Sequence, residues 1–151
     1  MAGERPAPRA APRGRVLVVE DDPDIRELLR ALLAEAGYDV ASAADGPEGL
    51  RLAHLQPPDV VILDLMLPGA TGWEIAARFR GPDGRPAPVI VATAAPLGLF
   101  QLPASVACML PKPFDPDHLI GAVDALVGRA RAAEPAQDGS AARNPGDSLA
   151  A

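Results

Sequence analysis

The sequence contains little of several residue types, and each shortage excludes a class of protein. Cys108 is the only cysteine, so no disulfide forms within the chain and the fold does not depend on an oxidising compartment. No apolar run is longer than five residues, whereas a membrane-spanning helix needs about 20. The N-terminal residues have spaced arginines and lack the apolar stretch of a secretory signal. These absences predict a cytoplasmic protein without membrane insertion.

Positive charge is also scarce. The 151 residues include 14 Lys and Arg against 20 Asp and Glu, which gives a net charge of −6. Clustered Lys and Arg bind phosphate backbones, so this acidic balance predicts that the chain makes no direct contact with nucleic acid. Every basic residue is an arginine except Lys112. A single lysine in a chain of this size raises the question of its task.

The length fits one domain with a tail on either side. Residues 1–13 are rich in Ala, Pro and Arg, and residues 132–151 are rich in Ala, Pro, Gly and Ser. Such segments bury too little apolar area to offset the entropy of ordering the chain, so both tails are predicted to be disordered. The folded domain is expected at 14–131. We expect it either to act alone or to be a piece of a longer protein.

Apolar runs alternate with helical patterns along the domain. After Pro23, apolar residues recur every three or four positions until Gly37, which predicts an amphipathic helix. Continuous apolar strands that alternate with helices predict an α/β, doubly wound, flavodoxin-like fold. Its five-stranded parallel sheet has the expected order 2-1-3-4-5, with helices on both faces. The predicted strands are 15–20, 39–43, 60–64, 89–93 and 107–110, and the later helices are 47–55, 72–80 and 115–130.

Polar residues follow the predicted strands where the strands end. Asp21 and Asp22 follow the first strand, Asp64 ends the third, Thr93 ends the fourth and Lys112 follows the fifth. Three carboxylates at one edge of the sheet cannot all stay ionised without a nearby cation. Lys112 supplies one positive charge, and oxygen ligands without His or Cys suit Mg²⁺. The predicted occupants are a divalent metal and a phosphoryl group.

Each of these residues also has an ordinary interpretation. An acid after a strand often caps a helix, and for Asp21 or Asp22 alone this is as good an interpretation as metal binding. Thr93 alone would be a common strand residue, and Lys112 alone a surface charge. Asp64 differs because it ends a run of four apolar residues and is therefore expected to be partly desolvated. The prediction of a site depends on the whole set.

Three segments of the sequence resemble the receiver domain of two-component response regulators. They are EDDPDIRELL, which contains the acid pair, DLMLPGATGWE, which begins at Asp64, and PKPF, which contains Lys112. The resemblance covers about residues 14–130 and rests on the order of these segments together with Thr93.

The resemblance implies that Asp64 is the phosphoacceptor. Its carboxylate would take a phosphoryl group from a phosphohistidine on a sensor histidine kinase or phosphotransfer protein. Lys112 would pair with the phosphoryl oxygens, and Thr93 would donate a hydrogen bond to one of them. A receiver catalyses its own phosphorylation and dephosphorylation and is not a classified enzyme. Its output would be a changed surface for a downstream protein target, with a homodimer as a further outcome.

The resemblance also implies a set of ligands for Mg²⁺. Asp22 would bind the ion directly, and Asp21 would bind it mainly through water. Asp64 and the backbone carbonyl of Met66 would complete the protein ligands.

The sequence departs from the family in the region of the switch. Met109 stands where receivers usually have an aromatic residue on the fifth strand. The interval from Thr93 to Lys112 is some three residues shorter than is typical, and Pro and Gly interrupt it. We therefore expect the helix between strands four and five to be short, displaced or absent. Whether the segment 94–106 preserves the usual switch and dimer stays open.

Two further functions remain as alternatives. A receiver-like module could bind a partner without phosphorylation, which the departure at Met109 favours. A small aspartyl-phosphate hydrolase also uses a strand-end Asp, but that class usually has a second Asp two residues later, where this chain has Met66.

Overall fold

A computed structural model of the protein describes residues 11–65, 72–94 and 104–133. Strands and helices alternate through the first four strands. In chain order the elements of these residues are β1 (Arg15–Val19), α1 (Pro23–Glu35), β2 (Asp39–Ala43), α2 (Gly46–Leu55), β3 (Val60–Leu63), α3 (Gly72–Ala76), β4 (Val89–Thr93), β5 (Val106–Pro111) and α4 (Pro116–Ala133).

The five strands form one parallel sheet in the order β2-β1-β3-β4-β5. This confirms the predicted doubly wound fold. Val19 at the end of β1 pairs with Leu63 at the end of β3, and Thr93 at the end of β4 pairs with Pro111. The carboxyl ends of these strands therefore lie at one edge of the sheet, as the sequence predicts.

Both faces of the sheet are buried. Val18 and Ile62 face one apolar cluster, which α1 and α4 cover, and Val19 and Leu63 face a second, which α2 and α3 cover. All four of these side chains are at most 1% exposed. Side chains alternate between the faces with a period of two, so an unbroken run of Val, Ile and Leu suits a strand covered on both sides.

The first helix has defined signals at both ends. Asp22 is the N-cap, and Pro23 occupies the first helical position, where a missing N–H costs nothing. Gly37 follows the helix with φ of +99°, a conformation that residues with a Cβ rarely adopt. The predicted helix between Pro23 and Gly37 is therefore confirmed.

The third helix is shorter than predicted. It ends at Ala76 rather than at residue 80 because the chain turns there and pairs with a later segment. Arg80 and Pro86 form an antiparallel bridge, and the Ala87 N–H donates to the Phe79 carbonyl at 3.1 Å. The extended backbone that this pairing needs cannot be helical. Phe79 is fully buried in the apolar cluster under α2 and α3.

Arg13, the last residue of the predicted N-terminal tail, contacts the folded domain. Its backbone N–H donates to the Gly37 carbonyl at 2.9 Å, and its guanidinium pairs with Asp124 at 3.0 Å. The same guanidinium lies 5.1 Å from the centroid of the Tyr38 ring. Arg13 thus holds the segment before β1 against the end of α1 and against α4.

Two predictions concern parts of the chain that bear on function. The expected loss of the helix between β4 and β5 falls largely on 95–103, outside the described residues, and stays a prediction. In the part that the structure describes, no helix combines the length and apolar character needed to cross a membrane.

Candidate functional site

Glu20, Asp64 and Lys112 meet at the carboxyl edge of the sheet. Glu20 and Asp64 each follow a residue of the pair Val19 and Leu63, and the Asp64 N–H donates to the Val19 carbonyl at 3.0 Å. Lys112 Nζ lies 2.9 Å from Glu20 Oε2 and 3.4 Å from Asp64 Oδ2. The single lysine therefore pairs with two carboxylates at once.

The period of the strands explains why these three side chains converge. Val18, Ile62 and Leu110 lie in or against the apolar cluster under α1 and α4, and each precedes one of the three site residues by two positions. Residues two apart on a strand share a face, so Glu20, Asp64 and Lys112 continue that face beyond the apolar core. Glu20 was not among the predicted ligands, although this period could have identified it.

Three carboxylates form a cluster that could hold a metal ion. Glu20, Asp21 and Asp64 each offer one oxygen, and these oxygens all lie within 4.8 Å of one another. Glu20 is 2% exposed and Asp64 is 5% exposed, whereas Asp21 faces solvent. Oxygen donors on a partly open edge fit Mg²⁺, which keeps several of its waters. With Lys112 included, the formal charge of the group is −2, which a divalent cation would neutralise.

Asp22 takes a different position from the one predicted for it. Its Oδ1 accepts hydrogen bonds from the backbone N–H groups of Asp24 at 2.9 Å and Ile25 at 3.3 Å. The first N–H groups of α1 have no partners within the helix, so they take this carboxylate. The cluster that was expected to contain Asp21, Asp22 and Asp64 contains Glu20 in place of Asp22. The structure therefore shows Asp22 as a helix cap, one of the two interpretations that the sequence allows.

Burial and pairing shift the pKa of two site residues. Burial raises the pKa of the Glu20 carboxyl above its ordinary value; the hydrogen bond from Lys112 opposes this rise and the negative charge of Asp64 adds to it. Burial alone would lower the pKa of Lys112, but its hydrogen bond with Glu20 and the charges of Glu20 and Asp64 outweigh that effect and raise it. Lys112 is therefore firmly cationic, and Glu20 takes up a proton more readily than an ordinary carboxyl.

The comparison with protein families agrees with this geometry. Residues 16–124 match the family model of the response regulator receiver domain. The chain belongs to this family.

Known proteins resemble this receiver domain along most of its length. The DNA-binding dual master transcriptional regulator RpaA of Synechocystis sp. is 38% identical over 120 residues, which cover 76% of this chain and 49% of RpaA. A CheY-like receiver domain protein of Methanospirillum hungatei is 27% identical, with a TM-score of 0.70 over 78% of this chain and 96% of that one.

A third similar protein was solved with a metal. The receiver domain of a Pseudomonas aeruginosa sensor histidine kinase, with a magnesium ion coordinated in its active site cleft, is 28% identical, with a TM-score of 0.65 over 76% of this chain and 98% of that one. This receiver chain spans about half the length of the curated relatives it matches.

Thr93 and Met109 complete what the structure describes around the receiver site. Thr93 is 1% exposed at the end of β4, and its carbonyl accepts the Lys112 N–H at 2.9 Å, which fixes the start of the segment that carries the lysine. Met109 is half-buried against the apolar cluster under α2 and α3. The Met66 carbonyl lies outside the described residues, so its part in metal binding stays a prediction.

Proposed function

We propose that this receiver domain accepts a phosphoryl group on Asp64 from a phosphohistidine of a sensor histidine kinase or phosphotransfer protein. One observation carries the proposal. The nearly buried Asp64 carboxylate lies at the end of β3 with a lysine ammonium 3.4 Å away and two further carboxylates beside it. A nucleophile, a cation for the transferred group and oxygen ligands for a metal are thus within reach of one another.

Glu20, Asp21 and Asp64 would hold Mg²⁺, with the Met66 carbonyl as a further expected ligand. This revises the ligand set expected from the sequence, because Asp22 is engaged as a helix cap. When bound, Mg²⁺ would neutralise the negative charge on the phosphoryl oxygens and on the carboxylates. The exposed Asp21 is the carboxylate through which an ion would enter the site from solvent.

In the proposed transfer an Asp64 oxygen attacks phosphorus in line with the phosphorus–nitrogen bond of phosphohistidine. As the new oxygen–phosphorus bond forms, the bond to nitrogen breaks and its electron pair stays on the imidazole, which takes up a proton. Lys112 would pair with the transferred oxygens, and the Thr93 hydroxyl would donate to one of them. Water later cleaves the acyl phosphate, which restores the carboxylate. The domain would thus act on itself and not as a classified enzyme.

The experiment is phosphorylation by a small donor. Wild type incubated with acetyl phosphate and Mg²⁺ gains one phosphoryl group by mass spectrometry, and Asp64→Asn gains none. The matched pair Asp21→Asn and Asp22→Asn separates the two neighbouring acids. The first variant loses most of the labelling at low Mg²⁺, whereas the second keeps it because Asn also caps helices. Labelling of Asp64→Asn equal to wild type would contradict the proposal.

Met109 supports a second candidate, a receiver that binds its target without phosphate. A thioether fills the space of an aromatic ring but lacks its two rigid orientations, which would weaken the coupling of Thr93 to the surface. Under this alternative, a target binds wild type and Asp64→Asn with the same affinity. Under the leading proposal, phosphorylated wild type binds with a different affinity from that of Asp64→Asn.

The partners follow from the same site. A cytoplasmic histidine kinase domain or phosphotransfer protein would supply the phosphoryl group, and a downstream protein or a second copy of this receiver would take the output. RpaA is described as DNA-binding, and the region matched here is about half of it. We propose that the acidic receiver itself makes no contact with DNA, which a gel-shift assay of this chain would test by showing no complex.

A further inference from the structure

Arg26 contacts the loop that carries the acids of the site. Its Nη1 donates to the backbone carbonyl of Glu20 at 2.9 Å and lies 3.5 Å from the carbonyl of Asp21. The side chain is half-buried on the first turns of α1. Among the residues that the structure describes, no ion pair involves Arg26, so its guanidinium holds main-chain oxygens and leaves the carboxylates to face a cation.

Arg26 lies near the N-terminal end of α1, which begins at Pro23. The N-terminal end of a helix carries a partial positive charge, which disfavours Lys and Arg there. Charge-assisted hydrogen bonds to carbonyls are stronger than neutral ones and can offset that cost. The contacts of Arg26 with the loop therefore stabilise its position, whereas the helix dipole does not.

Three contacts hold the loop between β1 and α1, which contains Glu20, Asp21 and Asp22 and is called the acidic loop below. The Glu20 N–H donates to the Ala43 carbonyl of β2 at 3.0 Å, which fixes the start of the loop. The Asp22 carboxylate caps α1, which fixes its end. Arg26 holds the carbonyls between these two points. Asp21 lies in the middle of the loop and is exposed, so its direction depends on the backbone and not on packing of its side chain.

We propose that Arg26 is a positioning residue that fixes the loop of Glu20 and Asp21 for Mg²⁺ binding. This inference rests on the proposed function, because it presumes that the carboxylate cluster binds the ion. Removal of a group that contacts a metal ligand and orients it typically lowers the affinity for the metal by 10- to 100-fold. Arg26 acts through the backbone, so we expect the loss at the lower end of that range.

Mg²⁺ titration by isothermal calorimetry tests the proposal on four proteins: wild type, Arg26→Gln, Arg26→Lys and Arg30→Gln. Arg30 is the matched control because it lies one turn further along α1 and pairs with Glu27 at 2.6 Å, away from the loop. Arg26→Gln is expected to bind Mg²⁺ roughly ten-fold more weakly than wild type. Arg30→Gln keeps wild-type affinity, and Arg26→Lys recovers part of the loss because an ammonium can still donate to one carbonyl.

Phosphorylation kinetics give a second measurement that general damage to the fold would not reproduce. In Arg26→Gln the Mg²⁺ concentration that gives half of the maximal labelling rate rises by the same factor as the dissociation constant. The maximal rate at saturating Mg²⁺ changes by less than that factor, since the ion can order the loop once it is bound. Equal losses at low and at saturating Mg²⁺ would contradict a positioning role.

The outcomes separate this inference from the proposed function. If wild type does not bind Mg²⁺, the carboxylate cluster is not a metal site and both statements are wrong. If wild type binds and Arg26→Gln binds equally well, or if Arg26→Gln and Arg30→Gln weaken to the same extent, only the role of Arg26 is wrong. If Arg26→Gln does not fold, Arg26→Lys is compared with Arg30→Gln: weaker Mg²⁺ binding by Arg26→Lys supports the role of Arg26, and equal binding contradicts it.

Discussion

Two neighbouring acids, Glu20 and Asp22, show how position along a strand or helix decides the role of a side chain. Glu20 shares its face of the sheet with Val18 and so extends over the site, where Lys112 binds it at 2.9 Å. Asp22 directly precedes Pro23 and caps the helix. The sequence contains both signals. Glu20 lies two positions after Val18, which is the period of a strand, and Asp22 directly precedes a proline. A contiguous acid pair at the strand end instead favoured Asp21 and Asp22 as the ligands.

The role of Asp22 predicts a pattern of stabilities. Asp22→Ala loses the cap and is expected to lower the free energy of unfolding by about 1 kcal/mol, whereas Asp22→Asn lowers it by less because Asn is a good cap. Urea denaturation measures both. Asp22→Asn, which keeps a cap, should not change Mg²⁺ affinity by much, and a large loss in this variant would assign the residue to the metal.

The raised pKa of Glu20 predicts a dependence of stability on pH. The folded protein binds this proton more tightly than the unfolded chain, so the contribution of Glu20 to stability is present below about pH 4.5 and is lost as the pH rises through the folded pKa. Glu20→Gln has no such proton. In EDTA, the free energy of unfolding of Glu20→Gln relative to wild type should therefore increase over this range, as urea denaturation at several pH values would measure. A difference that falls with pH would contradict the assigned shift.

At the scale of elements, the strands and most helix boundaries could be predicted because their signals are local. Apolar runs locate the strands, and Pro23 and Gly37 locate the ends of α1. The early end of α3 could not be predicted in this way. It depends on the bridge between Arg80 and Pro86, a pairing that no local pattern of residues 72–80 encodes.

The space around two helical glycines predicts opposite effects of a Gly→Ala substitution on the free energy of unfolding. A Cβ at Gly49 would lie 2.8 Å from Val19 Cγ2, a buried and β-branched side chain that cannot easily move. Gly49→Ala should lower the free energy of unfolding by about 1–3 kcal/mol. Gly121, in α4, has open space at the same position, so Gly121→Ala should raise it by about 0.5–1 kcal/mol. Thermal denaturation of both variants checks the pair, and a stable Gly49→Ala would contradict the close approach.

At the scale of the whole molecule, part of the acidic excess of the sequence lies in a single cluster of side chains. Glu20, Asp21 and Asp64 concentrate negative charge at the carboxyl edge of the sheet, and Lys112, the only lysine, balances part of it. The sequence could predict this edge because parallel strands place their ends together. It could not predict how Arg26 holds the loop, since that contact depends on the path of the chain between β1 and α1.

The charge of this edge predicts that metal stabilises the fold. An ion that binds only the folded state adds about 2.7 kcal/mol to the free energy of unfolding at a concentration 100-fold above its dissociation constant. Mg²⁺ should therefore raise the melting temperature of wild type, and EDTA should reverse the rise. Asp21→Asn should show a much smaller increase. An equal increase in both proteins would place the stabilising ion elsewhere.

The anchoring of Arg13 has a practical consequence for handling the protein. Arg13 binds the carbonyl of Gly37 beyond the C-terminal end of α1, and the last turns of α4 pass beside Asp59 and Pro88, which precede β3 and β4. The described domain is thus entered and left at the amino edge of the sheet, opposite Asp64. A surface tether attached ahead of Arg13 would leave the carboxyl edge open, so Asp64 of an immobilised receiver would face solvent and not the surface.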